Sequence, residues 1–252
     1  MRFAVLALLL CAADAAAKCK TDGIFVFPAP GAVIPLNARF ILEGAGKEKK
    51  RVNGLVGQTL VLRSNDRNAP SITVTVKAGW DSQRSRTAVV LLPSLPLLPG
   101  REYSLMIDKQ LPGYKVLNDD AAETLTWKSA PVADNTPPRF QTRPVVADGK
   151  AERDRDGISS HIRLKAEIIE DSPVYYVVRV SAIAKPGSPK QVYPVPINGG
   201  EALIGHDACS GGFQFDSDMP YRLEVETYDS AGNKSPDKLS PIEAKSPIEP
   251  AQ

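Results

Sequence analysis

The residues most able to do chemistry lie together at His206-Asp207-Ala208-Cys209. An imidazole beside a thiol can hold it as a thiolate nucleophile, and both side chains are zinc ligands. Neither chemistry is complete in the sequence. No Cys-x-x-Cys pair exists to finish a zinc site, and a nucleophile would need a third polar group brought in from elsewhere. The other histidine, His161, sits in a strand-like stretch where Ile162, Leu164 and Ala166 share one face and His161 takes the opposite one, a plain surface position. Gly-x-Ser-x-Gly, a Gly-rich phosphate loop and His-Glu-x-x-His are all absent. The sequence assigns no catalytic residue and no cofactor, and it reads as non-enzymatic.

Asp154 and Asp156, following Glu152 and preceding Gly157, alternate as calcium ligands on a sharp turn do. An EF-hand loop begun at Glu152 would need a carboxylate at position 163, where Arg163 stands. Asp154 and Asp156 are therefore weak metal candidates, and a self-neutralising Arg/Asp turn is the plainer reading. The basic run from Lys47 to Arg51, between Gly46 and Gly54, reads as an exposed hairpin loop, with acidic polysaccharide or lipid head groups as its alternative contacts. Trp80 shares parity with Ile72, Val74, Val76 and Ala78, and Trp127 with Leu125, which puts both rings in a core rather than on a sugar-binding face.

Positioning these groups falls to short strands. Twenty-two prolines are dispersed along 252 residues, and no window between Asp22 and Lys245 holds a helical period, so an all-β chain is expected. Strands are predicted at 24–27, 38–42, 55–62, 72–78, 87–92, 103–107 and 123–128. A second series is predicted at 140–146, 159–169, 175–183, 191–196, 202–204, 212–215, 221–228 and 239–243. Between the series, Ser129-Ala-Pro-Val-Ala-Asp-Asn-Thr-Pro-Pro138 has the composition of a stiff linker, which predicts two domains set end to end. The boundaries are 18–132 for the first domain, 133–137 for the linker, 138–244 for the second domain and 245–252 for a Pro-rich tail.

Residues 1–17 read as a cleaved signal peptide, with Arg2, an apolar run from Phe3 to Ala13 and the small residues Ala15-Ala16-Ala17. The run is too short to span a bilayer, and no later segment is long enough. Lipid attachment at Cys11 is left open, although Leu10 occupies a place that calls for a small residue. The net charge of +2, with no concentrated basic footprint, excludes nucleic acid as the expected partner. Cys19 and Cys209 survive processing, and an even count in an oxidising compartment makes them a disulfide candidate. A bond needs Cα atoms within about 7 Å, which end-to-end domains would not allow. Free thiols and intermolecular pairing stand as alternatives.

Two segments carry a resemblance. Leu98-Pro-Gly-Arg-Glu-Tyr103-Ser-Leu-Met-Ile and Asp218-Met-Pro-Tyr221-Arg-Leu-Glu-Val repeat a proline turn and Tyr-x-Leu-x-(Ile/Val), and Tyr228-Asp-Ser-Ala-Gly-Asn-Lys-Ser ends the second strand in a tight turn. The first domain is similar to the bacterial Ig-like domain of surface-layer and other exported proteins. The second is similar to Ig and fibronectin type III-like modules. The first lacks the glycine of the usual Asp-x-x-Gly-Asn loop, having Asn118-Asp-Asp-Ala-Ala122. The resemblance implies two tandem immunoglobulin-like β-sandwiches with Tyr103 and Tyr221 as structural tyrosine corners. It also implies a binding, adhesion or structural role at the cell envelope or outside the cell, with an envelope or extracellular protein or polysaccharide as partner. The alternatives are a carbohydrate-binding module and a periplasmic pilus-type chaperone. Periplasmic, cell-surface and secreted locations all fit, and oligomeric state is not legible.

Overall fold

A computed structural model of the chain describes residues 22–118, 124–185 and 187–250. The leader, Cys11 and Cys19 lie outside these residues. The chain is mostly β, with one short helix, and its strands fall into two units with separate cores.

In the first unit one eight-stranded sheet holds β1 (Gly23–Phe27), β2 (Val33–Ile34), β3 (Phe40–Ala45), β4 (Thr59–Ser64), β5 (Ile72–Asp81), β6 (Arg86–Pro93), β7 (Glu102–Met106) and β8 (Thr126–Ser129). The order is β1-β3-β6-β5-β4-β7-β8-β2, antiparallel throughout except for β2 beside β8. Period-two alternation places Leu60, Leu62, Ile72, Val74, Val76, Leu91, Tyr103, Leu105 and Trp127 in one core. The free edge of β1 is closed by its own chain. Ile24 exchanges backbone bonds with Lys115 and Leu117, and the Asn118 side-chain amide pairs with both backbone groups of Val26.

The predicted absence of helix is corrected by α1 (Glu48–Asn53), formed by the basic run read as a hairpin loop. Glu48, Val52 and Leu55 recur at i, i+4 and i+7 and are all buried, Glu48 with its carboxylate on Arg51. The helix lies so close to β3 that a Cβ on Gly44 would stand 2.5 Å from the Glu48 carbonyl oxygen.

The second unit is a sandwich of three and four strands. One sheet runs β13 (Glu201–His206), β10 (Gly157–Ile169), β9 (Arg139–Asp154). The other runs β12 (Gln191–Pro196), β11 (Val174–Ala182), β14 (Pro220–Asp229), β15 (Ile242–Lys245). Ile162, Leu164, Tyr176, Val178, Ile204, Phe213 and Leu223 fill the space between them. On β12 the backbone groups of Pro194 and Pro196 face outward, because Ile197 N–H bonds to Val174 and the alternate residues pair with β11. Proline at those positions removes two of that edge's donors. Residues 246–250 run beside the 216–219 turn and β9, with Ser246 N–H on the Met219 carbonyl and Arg153 donating to the Pro250 carbonyl.

The end-to-end arrangement expected from the linker is overturned. Phe27, Ile41 and Ala88, on the outer face of β1, β3 and β6, belong to the second unit's apolar cluster, with Trp80 packed against it. The first unit's sheet is thus covered on both faces here. A bulge at Gly79 shifts the register between Ala78 and Trp80, and a Cβ there would meet the Ala88 carbonyl oxygen at 2.4 Å. It flips parity, so Trp80 points toward the second unit and not into the core of the first. The linker is pinned as well. Asn37 and Asp134 exchange two hydrogen bonds of 2.7 and 2.9 Å, and Asn233 Nδ2 donates to the Asp134 carbonyl.

Candidate functional site: the interdomain cleft

The docked units enclose a cleft of about 760 Å³ between the outer face of β1 and β3 and the β12–β13 side of the second unit. Phe25, Phe27 and Tyr175 give it aromatic walls, and the Phe27 and Tyr175 rings meet edge-on with centroids 5.1 Å apart. Leu203, 57% exposed, stands on its rim. Residues 200, 202, 204 and 206 turn their backbone groups toward β10, as the bond from Ala166 N–H to the Gly200 carbonyl shows, so Leu203 presents its own toward the cleft side.

The polar end of the cleft is built around two arginines of the β5–β6 hairpin. Ser85 takes a left-handed φ of 58°, and the Ser82 hydroxyl accepts the N–H groups of Arg84 and Arg86. That turn aims both side chains at the second unit. Arg86 donates through Nη1 to Glu43 Oε1 (3.0 Å), through Nη2 to Asp207 Oδ2 (3.0 Å) and through Nε to Ser210 Oγ (3.1 Å). Its guanidinium lies 4.4 Å from the Phe25 ring centroid, a cation–π contact. Arg84 Nη2 lies 3.1 Å from His206 Nδ1 and 3.1 Å from the Ala208 carbonyl, while the Arg84 carbonyl accepts the Gly211 N–H at 2.9 Å. His161 Nε2 lies 3.5 Å from Asp207 Oδ1.

Burial sets the electrostatics. It raises the Glu43 carboxyl above its ordinary range, although Arg86 pulls the other way. Burial, then the Glu43 charge, pushes the Tyr193 phenol well up. His161 is held low by burial and by Arg86 against the pull of Asp207. His206 is held low by burial, Arg84 and His161, although the Asp207 carbonyl favours its charged form.

The sequence singled out both histidines, Asp207 and Cys209, and the structure brings them to the paired strands β10 and β13 and the loop that follows β13. The plain surface position expected for His161 is corrected: its face of β10 looks into the cleft because the first unit covers it. Cys209 is disulfide-bonded and so offers no thiol for catalysis or zinc; its candidate partner Cys19 lies outside the described residues. Arg84, Arg86 and Glu43 were missed. Their signal was present in the continuous apolar runs at 24–27, 40–42 and 88–92, which mark strands buried on both faces and charged groups trapped between them.

Asp154 and Asp156 form the tip of the β9–β10 hairpin, where Asp154 Oδ1 accepts the N–H groups of Asp156 (2.8 Å) and Gly157 (3.0 Å). That carboxylate is occupied as a turn cap. Among the described residues, the carboxylates that lie close enough to share a cation are Asp134, Glu170 and Asp229, within 4.8 Å of one another. Ser172 Oγ donates to Asp134 Oδ2 and Glu170 Oε1, and Asn233 holds both Asp229 oxygens. Hard oxygen ligands of this kind suit calcium or magnesium. Linker, β10–β11 turn and the end of β14 converge only in the fold, so spacing in the sequence does not show the group.

Tyr103 Oη accepts the Leu98 N–H and Tyr221 Oη the Asp216 N–H, at 2.9 and 2.8 Å. Among the described residues no helix is long and apolar enough to cross a membrane.

No family model and no curated protein matches this chain. Among solved structures it is distantly similar to the FN1–FN3 domains of chicken CNTN1, at 14% identity and a TM-score of 0.28, covering 90% of this chain and 64% of that one. It is also similar to the S-layer protein SbsC in two structures, at 11% and 12% identity and a TM-score of 0.25 in each. Those cover 86% and 91% of this chain and 34% and 38% of theirs. The chain thus spans less than two thirds of the length of each.

Proposed function

We propose that this chain is an exported, non-enzymatic pair of Ig/fibronectin type III-like modules that binds an envelope or extracellular protein or polysaccharide in its interdomain cleft. The observation that carries this reading is the cleft itself, with aromatic walls, an exposed Leu203 and a neutralised ionic end. Such a lining suits recognition, an apolar surface for contact area with a few placed polar groups for orientation. The engagement of Cys209 in a disulfide supports the non-enzymatic reading.

Two rival readings lose support. A sugar-binding module would present tryptophan to solvent, but Trp127 is fully buried with Nε1 donating to the Pro28 and Ala29 carbonyls, and Trp80 is spent on the domain contact. A pilus-type chaperone would offer a long last strand in its first domain, but β8 has four residues, paired to β7 and β2.

The test is capture from envelope and culture fractions by immobilised protein, run beside a Leu203→Glu variant. The reading expects a species, identified by mass spectrometry or glycan analysis, that the wild type retains and the variant loses. Equal retention by both, or no retained species, contradicts it.

A further inference from the structure

We infer that docking of the two units is proton-sensitive: the interface stays closed while His206 is neutral and loosens when His206 is protonated. Both histidines of the chain lie in this contact, and His206 is only 3% exposed. His206 Nδ1 lies 3.1 Å from Arg84 Nη2 on the other unit, from which a neutral ring can accept, and 3.0 Å from the Asp207 carbonyl, to which a protonated Nδ1 would donate. Protonated, it would place a second donor and a second positive charge against that guanidinium.

The Asp207 carbonyl and carboxylate favour the charged form, but burial, Arg84 and His161 together outweigh them. From β6, Arg86 adds a further cation, and its guanidinium already takes Glu43 Oε1 from β3 and Asp207 Oδ2. Asp207 Oδ1 faces His161. On β9, Lys150 stands opposite His161 in register, and along β10 Arg163 is paired with Asp148 and Glu201. The carboxylates near His206 are therefore shared among existing cations, and Arg84 lies within hydrogen-bonding distance of it.

The sign follows from where the proton binds better. Both imidazoles sit below their ordinary value when docked, burial being the largest cause for each. The undocked state therefore binds protons more readily. Docking is fully supported above the free imidazole value of about 6.5 and weakens as pH falls through the docked value. Acid would then uncover Phe27, Ile41 and Ala88, apolar residues now shared with the second unit's core.

Two backbone bonds between the units report on docking directly. Arg39 N–H donates to the Ser230 carbonyl at 2.7 Å, and Gly211 N–H donates to the Arg84 carbonyl at 2.9 Å. Hydrogen exchange of these amides, corrected for intrinsic rate and compared between pH 7.5 and 5.0, should show protection falling about tenfold at both. Protection at Val178, in the second unit's central strand, should hold. His206→Asn, whose side-chain oxygen can accept near the Nδ1 position without titrating, should shrink the fall, and His206→Asn with His161→Asn should abolish it. Should that variant fail to fold, Arg84→Gln should shrink the fall in part, the repelling charge being gone while burial remains. Unchanged protection in the wild type overturns the inference. So does a fall confined to Gly211, a fall shared equally by Val178, or a variant that responds as the wild type does.

Discussion

Tyr103 and Tyr221 make the same hydrogen bond in the two units, each phenolic oxygen accepting the N–H of the residue five positions earlier. Each ring is buried in its unit's core, so the bond ties the turn before a strand to the interior. Replacing Tyr103 or Tyr221 with Phe leaves a backbone N–H without its acceptor and keeps the ring. Each change should lower stability by about 1–2 kcal/mol in urea unfolding, and the two should add, because they lie in separate cores.

Arg86 holds two carboxylates, Glu43 on its own unit and Asp207 on the other. Arg86→Met strands a buried Glu43, which should cost about 3–5 kcal/mol at neutral pH. Because burial already raises the Glu43 carboxyl, the loss should shrink as pH falls and Glu43 takes a proton. The double variant Glu43→Leu with Arg86→Met should recover much of the loss. Unfolding curves of the three variants at pH 5 and 8 check this.

Gly44 lets α1 lie directly on β3. Gly44→Ala drives a methyl group into the Glu48 backbone and should destabilise the first unit by about 1–3 kcal/mol. Thermal unfolding followed at Trp127, in the same core, reads the change.

Most of the strand pattern was legible because period-two alternation depends on nearest neighbours, although the strand predicted at 212–215 does not form and β2 was not foreseen. The tyrosine turns were legible because their bond closes within five residues. Helix α1 was not, since a charged Glu48 fills one of its two buried positions and six residues are too few to display a period. Domain docking was hidden for another reason. Pro137-Pro138 suggested a spacer, but the decisive contacts are Asn37 with Asp134 and Arg86 with Asp207, pairs far apart in sequence with no local signature. The parity of Trp80 failed at a single inserted glycine.

Docking also removes the objection to a bond between Cys19 and Cys209. Arg86 touches the 207–210 loop and sits beside Ala45, which sits beside Gly23. The chain enters β1 two strands, about 10 Å, from that loop. Four residues from Cys19 to Gly23 reach about 13 Å when extended. A non-reducing peptide map of the protein should recover the Cys19–Cys209 pair, and alkylation of both thiols without reductant would refute it.

The side-by-side contact on which the cleft depends is tested most directly by nuclear Overhauser effects between the ring protons of Phe27 and Tyr175. Selective Phe and Tyr labelling at pH 7.5 isolates them. Centroids 5.1 Å apart predict clear cross-peaks between these rings of different units. Their absence, with the two units tumbling independently in relaxation measurements, would contradict the account.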